Sequence, residues 1–317
     1  MALSAVIVGV YAVWNLTVRP PEIPQEPDPA PPAGSGSQAA EPVEQEQPAG
    51  RQRREDVYNF VLLGRDRESA NTDTIIVVSY DVANQKVGMI SIPRDTAVNR
   101  DWRKDPKING AYAGAGVDVL KEEIEQTFGI PIDYYIYVDL KGFVALVDEL
   151  EGVDVYIPEE MNYDDPYQDL HIHYTKGQHH LNGQQAMEVV RFRHNNDGSG
   201  YTDVGRAEMQ RQVLVALAKK VVSWNSLTKV QEFVEIFQEY VKTDLSTTDM
   251  LYFASQAVGV DLDTGITQGT LEGRGEGVVR GYKYCFVFQA EDILPTLNEL
   301  VNPYDQPLTE EDLDLPQ

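Results

Sequence analysis

The sequence predicts a layered α/β domain, with helices on both faces of a sheet. Two observations carry this. Three short apolar runs, Phe60–Leu63, Ile75–Tyr80 and Val87–Ile92, are rich in Val and Ile and bounded by turn residues, which reads as three strands. Of these, Ile75–Val78 is apolar at every position, as a strand covered on both faces must be. Further along, segments of helical and strand period alternate, the pattern of helices packed on either side of a sheet.

The chain has 317 residues and one cysteine, Cys285, so no internal disulfide is available. Cys285 sits in the apolar run Tyr284–Phe288 and is expected to be core. The net charge of -25 argues against partners that are nucleic acids, which call for a basic face. Met1–Val18 is almost entirely apolar, about the minimum length of a membrane-spanning helix. No small-residue cleavage site follows it, so an uncleaved single-pass anchor in the cytoplasmic membrane is expected. Arg19 follows the segment and no Lys or Arg precedes it, which is the reverse of the charge order for an anchor with its N-terminus inside. Pro20–Gln47 is rich in Pro, Glu, Gln, Ala and Gly and has too little apolar surface to fold. The expected organisation is therefore an anchor at 1–18, a disordered Pro/Glu-rich linker at 19–56, a folded domain at 57–304 and an acidic, frayed tail at 305–317.

Within the domain, the turn Asp81–Gln85 is short enough to make the second and third strands an antiparallel hairpin. The loop Gly64–Thr72 is short enough for an antiparallel return from the first strand. The end of strand one, the start of strand two and the end of strand three then share one edge, where Asp66, Arg67, Asp73, Arg94 and Asp95 lie. Carboxylates are oxygen ligands suited to Mg²⁺, and guanidinium forks match phosphate oxygens. Together they are the equipment of phosphoryl-transfer chemistry.

A small-residue loop, Lys107–Gly116, leads into a helix over Val117–Thr127, ended by Gly129 and Pro131. Tyr134–Val138 is a strand. Phe143, Leu146, Val147 and Leu150 mark a helix ended by Gly152, and Val153–Ile157 alternates as a strand. Pro158–His180 reads as a polar loop region holding four of the five histidines. His171 and His173 would share a face if extended; a zinc site is one reading, but no Cys or Glu completes a convincing spacing, and an ordinary polar loop is favoured.

Asn182 or Gly183 caps a short helix through Val190, and Arg191 and Arg193 follow on one side of an extended or irregular piece. Asp203 caps a long helix whose buried stripe is Val204, Val213, Leu214, Leu217 and Val221. Arg206 and Gln210, four apart on that helix, face the same way, and with Arg191 and Arg193 they suggest an anion-binding patch. A helix follows over Asn225–Val241, and Ser246 with Asp249 resembles a capping box before a helix over Met250–Val258. Gly265–Glu272 and Tyr282–Phe288 read as strands, Arg274 lies in a Gly-rich loop between them, and Glu291–Val301 is a last helix stopped by Asn302 and Pro303.

These segments form an ordered set: LLGRD (Leu62–Asp66), NTDTIIVVS (Asn71–Ser79), ISIPRDT (Ile90–Thr96), KINGAY (Lys107–Tyr112), Asp133–Tyr135 with Phe143–Val144 and Leu146–Asp148, LNGQQAM (Leu181–Met187), VRFRH (Val190–His194) and DVGRAEMQRQ (Asp203–Gln212). The set resembles the LytR-CpsA-Psr family of cell-wall glycopolymer ligases, over about Tyr58–Tyr304. The resemblance implies an α/β/α sandwich on a central mixed sheet, with a deep apolar pocket for a polyprenyl chain. It implies a Mg²⁺-dependent phosphotransferase outside the membrane, moving a glycan-1-phosphate from a polyprenyl-pyrophosphate donor to a peptidoglycan hydroxyl. Carried over by position, Asp66 and Asp73 look like the metal-linked, catalytic carboxylates. Arg94, Arg191, Arg193 and Arg206 look like the pyrophosphate clamp, with Arg67 beside it, Asp203 and Gln210 supporting it, and Lys107 and Asn109 near the mouth.

Glu68, Asn71 and Met209 stand where the family pattern often has Arg, which implies a clamp with fewer arginines. Two rival readings remain open: an envelope-related transcriptional attenuator, the older name attached to this family, and a non-catalytic ectodomain that binds polyprenyl phosphate or wall glycan.

Overall fold

The computed structural model describes residues 19–23, 51–65, 72–167, 169–201, 203–222, 235 and 237–316. The apolar run of β2 (Thr74–Asp81) lies inside a six-stranded mixed sheet, between β1 (Val57–Arg65) and β3 (Lys86–Ser91). Both neighbours are antiparallel to it, in a register that pairs Leu63 with Ile75 and Val77 with Ile90. β4 (Tyr134–Asp139) runs parallel to β1, and β10 (Ile266–Thr270) runs parallel to β3. The two-residue β9 (Lys242–Thr243) completes the order β10-β3-β2-β1-β4-β9.

Each face of this sheet is covered, as the unbroken apolar strand requires. On one face Val61, Leu63, Ile75, Val77 and Ile90 pack under two helices. One is α2 (Val117–Phe128), through Leu120, Ile124 and Phe128; the other is α7 (Ala290–Leu300), through Ile293 and Leu297. The short α1 (Ala111–Ala115) leads into α2, and Gly129, left-handed at φ 69°, ends it. On the other face Tyr58, Phe60 and Tyr80 meet Tyr252 and Phe253 of α6 (Thr247–Ala257). The capping box of Ser246 and Asp249 at the start of α6 is present as expected.

A second core sits beside the sheet. It gathers α3 (Leu140–Glu149), α4 (Gly183–Arg191) and α5 (Asp203–Val222) with two small hairpins. β5 (Val153–Ile157) pairs with β8 (Gly177–Leu181), and β6 (Met161–Asp165) pairs with β7 (Leu170–Tyr174). Gly183 opens α4 directly on the carbonyl of Val144, where any Cβ would collide. α4 is capped reciprocally by Asn182 and Gln185.

Several expectations need correction. The stretch 158–180 is not a loop but mostly strand: only alternate residues, such as Met161, Leu170 and Ile172, are buried, and the His, Asp and Asn between them face out. Arg274 is not in a loop but begins β11 (Arg274–Val279), which pairs with β12 (Tyr282–Val287). The tail does not fray. Leu308 is buried, Asp312 meets Arg51 in a two-pronged ion pair at 2.5 and 2.8 Å, and the amide of Asp314 donates to the Gln126 carbonyl. The apolar Met1–Val18, most of the linker and most of the expected helix over Asn225–Val241 lie outside the described residues. No helix among the described residues is long and apolar enough to cross a membrane.

The docked tail gives a pH test. The Arg51 hydrogen bond holds the Asp312 carboxyl at about 2, below its ordinary 3.8. A carboxyl depressed in the folded state stabilises the fold above about pH 4 and loses that contribution as pH falls through that value towards about pH 2. Denaturant midpoints of the parent should therefore drop through this window by more than those of Asp312→Asn. Parallel curves for the two proteins would show that the pair does not anchor the tail.

Candidate functional site

Strand alternation decides which residues meet here. Leu62 and Gly64 of β1, Thr74 and Ile76 of β2, and Ile136 and Val138 of β4 share the sheet face opposite α2 and α7. They form the floor of a cavity of about 490 Å³. α5 lies across it with one face: Arg206 and Gln210 in its first turns, then Val213, Leu214 and Leu217. These positions fall at i, i+4, i+7, i+8 and i+11, a single helical stripe that passes from polar to apolar. α3 supplies Phe143 and Leu146 as a side wall, and the β6–β7 hairpin supplies Tyr163, Asp165 and Leu170.

The cavity is therefore graded along its length. Asp73 and Arg94, at the ends of β2 and β3, join Arg191, Arg193, Arg206 and Gln210 around one end of the cavity. The guanidinium of Arg94 donates from Nη1 to Asp73 Oδ1 at 2.7 Å, and its Nε lies 3.6 Å from Asp95 Oδ2. Lys107 pairs with the other oxygen of Asp95 at 3.0 Å. Arg191 ends α4, and Arg193 follows beyond the buried Phe192, which points the other way. Arg193 is exposed and forms no ion pair among the described residues. Thr74 Oγ1 donates to Gln210 Oε1 at 3.4 Å, and Gln210 Nε2 reaches the Val190 carbonyl at 3.4 Å, so Gln210 spans from sheet to α4.

Most of the expected site residues meet as the strand directions require. Asp73, Arg94, Arg191, Arg193, Arg206 and Gln210 all line the cavity. Arg191 belongs to a helix rather than to an extended piece. Lys107 and Asn109 stand behind the wall: Lys107 holds Asp95, and the backbone of Asn109 bonds Arg94 and Thr72. Asp66 and Arg67 lie outside the described residues, as does the side chain of Asp203. Val213, Leu214 and Leu217 serve both as core and as cavity wall. Tyr163, Asp165 and His194 line the cavity without having been singled out. His194 sits in the VRFRH motif, which was a signal; Asp165 lies in the stretch read as loop and carried none.

Met209 changes the account of the clamp. It is 1% exposed and packs in the second core, and it is not among the residues that line the cavity.

A cavity with arginines gathered at one end and a mostly apolar wall, interrupted by Asp139, Asp165 and His194, fits a long apolar chain ended by phosphate. Asp73 offers a carboxylate at that end, and one or two carboxylates together with substrate phosphate are the usual setting of Mg²⁺. The residues present therefore fit a Mg²⁺ ion.

Comparison with known proteins places this geometry among relatives. The LytR_cpsA_psr family model matches residues 33–301. Regulatory protein MsrR of Staphylococcus aureus (strain COL) is 33% identical over 192 residues, which is 59% of this chain and 56% of that protein, so the match spans little more than half its length. In Oceanobacillus iheyensis, a protein named polyisoprenyl-teichoic acid–peptidoglycan teichoic acid transferase TagU is 34% identical over 245 residues, 74% of this chain and 73% of that one. The crystal structure of B. subtilis TagV matches with a TM-score of 0.66 at 28% identity, covering 82% of this chain and 98% of that one.

The placement of Met209 is testable. Met209→Arg should destabilise the domain by about 2–4 kcal/mol, the cost of burying an unpaired guanidinium. Chemical denaturation measures it. A neutral effect would mean that the side chain at this position reaches the cavity instead.

Proposed function

The chain belongs to the LytR_cpsA_psr family, and from that premise we propose that it is a cell-wall glycopolymer transferase, anchored by Met1–Val18 with its folded domain outside the cytoplasmic membrane. Its donor is a glycan linked through pyrophosphate to a polyprenyl lipid, and its acceptor is a sugar hydroxyl of peptidoglycan. The observation that carries this reading is the graded cavity, with arginines gathered at one end and a mostly apolar wall. That gradient matches a lipid pyrophosphate, whose chain needs an apolar wall and whose head needs arginines. The printed name of the O. iheyensis relative describes the same donor and acceptor classes for that protein.

In the proposed reaction the acceptor oxygen attacks the phosphorus next to the glycan. The bond from that phosphorus to the bridging oxygen breaks, and polyprenyl phosphate leaves with the electron pair. Arg94, Arg191, Arg193 and Arg206 stabilise the negative charge that grows on the leaving phosphate and on the transferred phosphoryl oxygens. Gln210, tied to Thr74 and Val190, holds the start of α5 against the sheet edge. The acceptor proton needs a base within hydrogen-bond reach, and Asp73 or Asp66 takes that role. Mg²⁺, when held by Asp73 and Asp66, would neutralise phosphate charge at the same end.

A regulatory reading has one relative's name behind it, MsrR. The net charge of -25 speaks against a nucleic-acid face.

Two measurements test the transferase reading. In a transfer assay with polyprenyl-pyrophosphate glycan, peptidoglycan oligomers and Mg²⁺, Arg94→Ala, Arg193→Ala and Arg206→Ala should each lose on the order of 2–4 kcal/mol of transition-state stabilisation, roughly a hundredfold or more in rate. Lysine at these positions should restore only part of it. Arg274→Ala, on β11, serves as the control and should be near neutral; four variants of equal activity would leave no clamp. Separately, native mass spectrometry should detect polyprenyl phosphate bound to the protein, and Leu214→Arg should prevent its uptake. Lipid binding unaffected by that change would place the chain elsewhere.

A further inference from the structure

The β6–β7 hairpin turns one face to the cavity and the other to solvent. Its register pairs Asn162 with His173 and Asp164 with His171, so these four side chains stand together on the outer face. Tyr163, Asp165 and Leu170, on the inner face, belong to the cavity wall. None of the four outer residues lines the cavity.

Its hydrogen bonding poses a specific problem. Asp164 Oδ1 lies 2.5 Å from His171 Nδ1 and 3.1 Å from His173 Nε2, so one carboxylate oxygen faces two imidazole nitrogens. The carbonyl oxygen of Asn162 lies 2.9 Å from His173 Nδ1 and accepts the proton there. In a neutral ring that leaves Nε2 with a lone pair, aimed at a carboxylate. His171 differs: its Nδ1 faces the same Asp164 oxygen, while its Nε2 lies 3.7 Å from Asp169 Oδ1, beyond hydrogen-bond reach. A lone pair facing a carboxylate is unfavourable, and either a proton on the ring or a metal ion between the two groups relieves it.

We propose that Asp164, His171 and His173 form a binding site for a borderline divalent metal ion, Zn²⁺ being the representative case. The ligand atoms lie within 4.8 Å of one another, and all three residues are exposed and open to an ion from solvent. Two imidazoles and one carboxylate are a Zn²⁺ donor set, with water as the fourth ligand, and are a poor set for Mg²⁺. Tetrahedral bonds of about 2.1 Å separate neighbouring ligand atoms by about 3.4 Å, so the His173 contact is near the required spacing and the His171 ring must open by somewhat less than 1 Å.

The outer shell is present as well. A metal-bound imidazole presents its other N–H to a carbonyl or carboxylate; Asn162 stands at that position for His173, and Asp169 lies 3.7 Å from the other nitrogen of His171. The strand carrying Asp164 is held by its far edge: the backbone amides of Asn162 and Asp164 donate to the side chains of Asn195 and Asn196, at 2.7 and 3.1 Å. Those two asparagines follow Arg193 and His194 directly, so an ion here would stiffen a wall of the cavity together with the segment that carries one of its arginines.

The test uses the full chain without a polyhistidine tag, freed of metal by a chelator and then titrated with Zn²⁺ against a chromogenic competitor. One Zn²⁺ per chain is expected. His171→Ala, His173→Ala and Asp164→Asn should each weaken it at least tenfold. Asn162→Ala should weaken it about tenfold through the orientation of His173, and Asn162→Asp should restore it. His180→Gln, on the neighbouring hairpin, should bind as the parent does. Co²⁺ should give the absorption of a tetrahedral site in the parent and lose it in His173→Ala, and a large excess of Mg²⁺ should displace neither ion. The side chains are exposed, and far-UV circular dichroism of each metal-free variant checks the fold. No uptake by the parent, or equal uptake by His171→Ala and His173→Ala, overturns the proposal; because transfer activity enters none of these readings, the test is independent of the transferase assignment.

Discussion

The antiparallel register of β1, β2 and β3 is the constraint on which the site depends. Because β2 returns beside β1 and β3 returns beside β2, Asp73 and Arg94, 21 residues apart, reach the same sheet edge and bond at 2.7 Å. A slip of one residue would turn Thr74 and Ile76 into the α2 and α7 core and put Ile75 in the cavity floor. The apolar pattern forbids it, since Ile75 and Val77 are already needed on the other face. Packing and site geometry are thus set by one pairing: the side chains that bury against helices fix where the charged ends of the strands lie.

Much of this was legible in the sequence because it rests on apolar period. The central strands, α2, α4 and α6 follow from runs of Val, Ile and Leu and from capping residues, and the structure finds them within a few residues. Of the hairpins of the second core, β5 was legible, and β6, β7 and β8 were not. Each of these three has five residues, at most every second one is apolar, and the exposed positions hold His, Asp, Asn and Gln, so local composition reads as loop. The tail misled in the same way: its acidic composition describes the exposed face, while its attachment depends on Leu308 and on Arg51, over 250 residues away.

The candidate site was legible in kind but not in full. Strand direction alone brought Asp73 to Arg94. Residue pattern suggested that Arg191, Arg193 and Arg206 share an anion patch, and the resemblance to a family joined them to that edge. Which side of α5 a residue occupies is a finer question. Met209 lies three positions from Arg206, within a turn of it, yet faces the core. A motif read as a line of letters does not separate those two positions; the burial of Met209 itself, outside the cavity lining, does.

What keeps the two walls of the cavity in step is a buried cation that belongs to neither. Arg211 on α5 is 2% exposed, and a guanidinium at that depth must have its donors met. Its Nη1 donates to Ser91 Oγ at 2.7 Å, its Nε to Gln268 and its Nη2 to Thr270 and to Glu208. Ser91 ends β3, and Gln268 and Thr270 lie on β10, so Arg211 ties α5 to two strands at once. Three residues after Ser91 comes Arg94. On α5, Arg211 follows Gln210 directly and lies five residues after Arg206. The same contact therefore fixes the distance between the arginine that ends a strand and the arginine that opens a helix. A lysine could not replace it, because a single ammonium cannot reach four acceptors spread over a helix and two strands. The cationic end of the cavity is held rigid from below the sheet edge, by a residue that never faces the cavity.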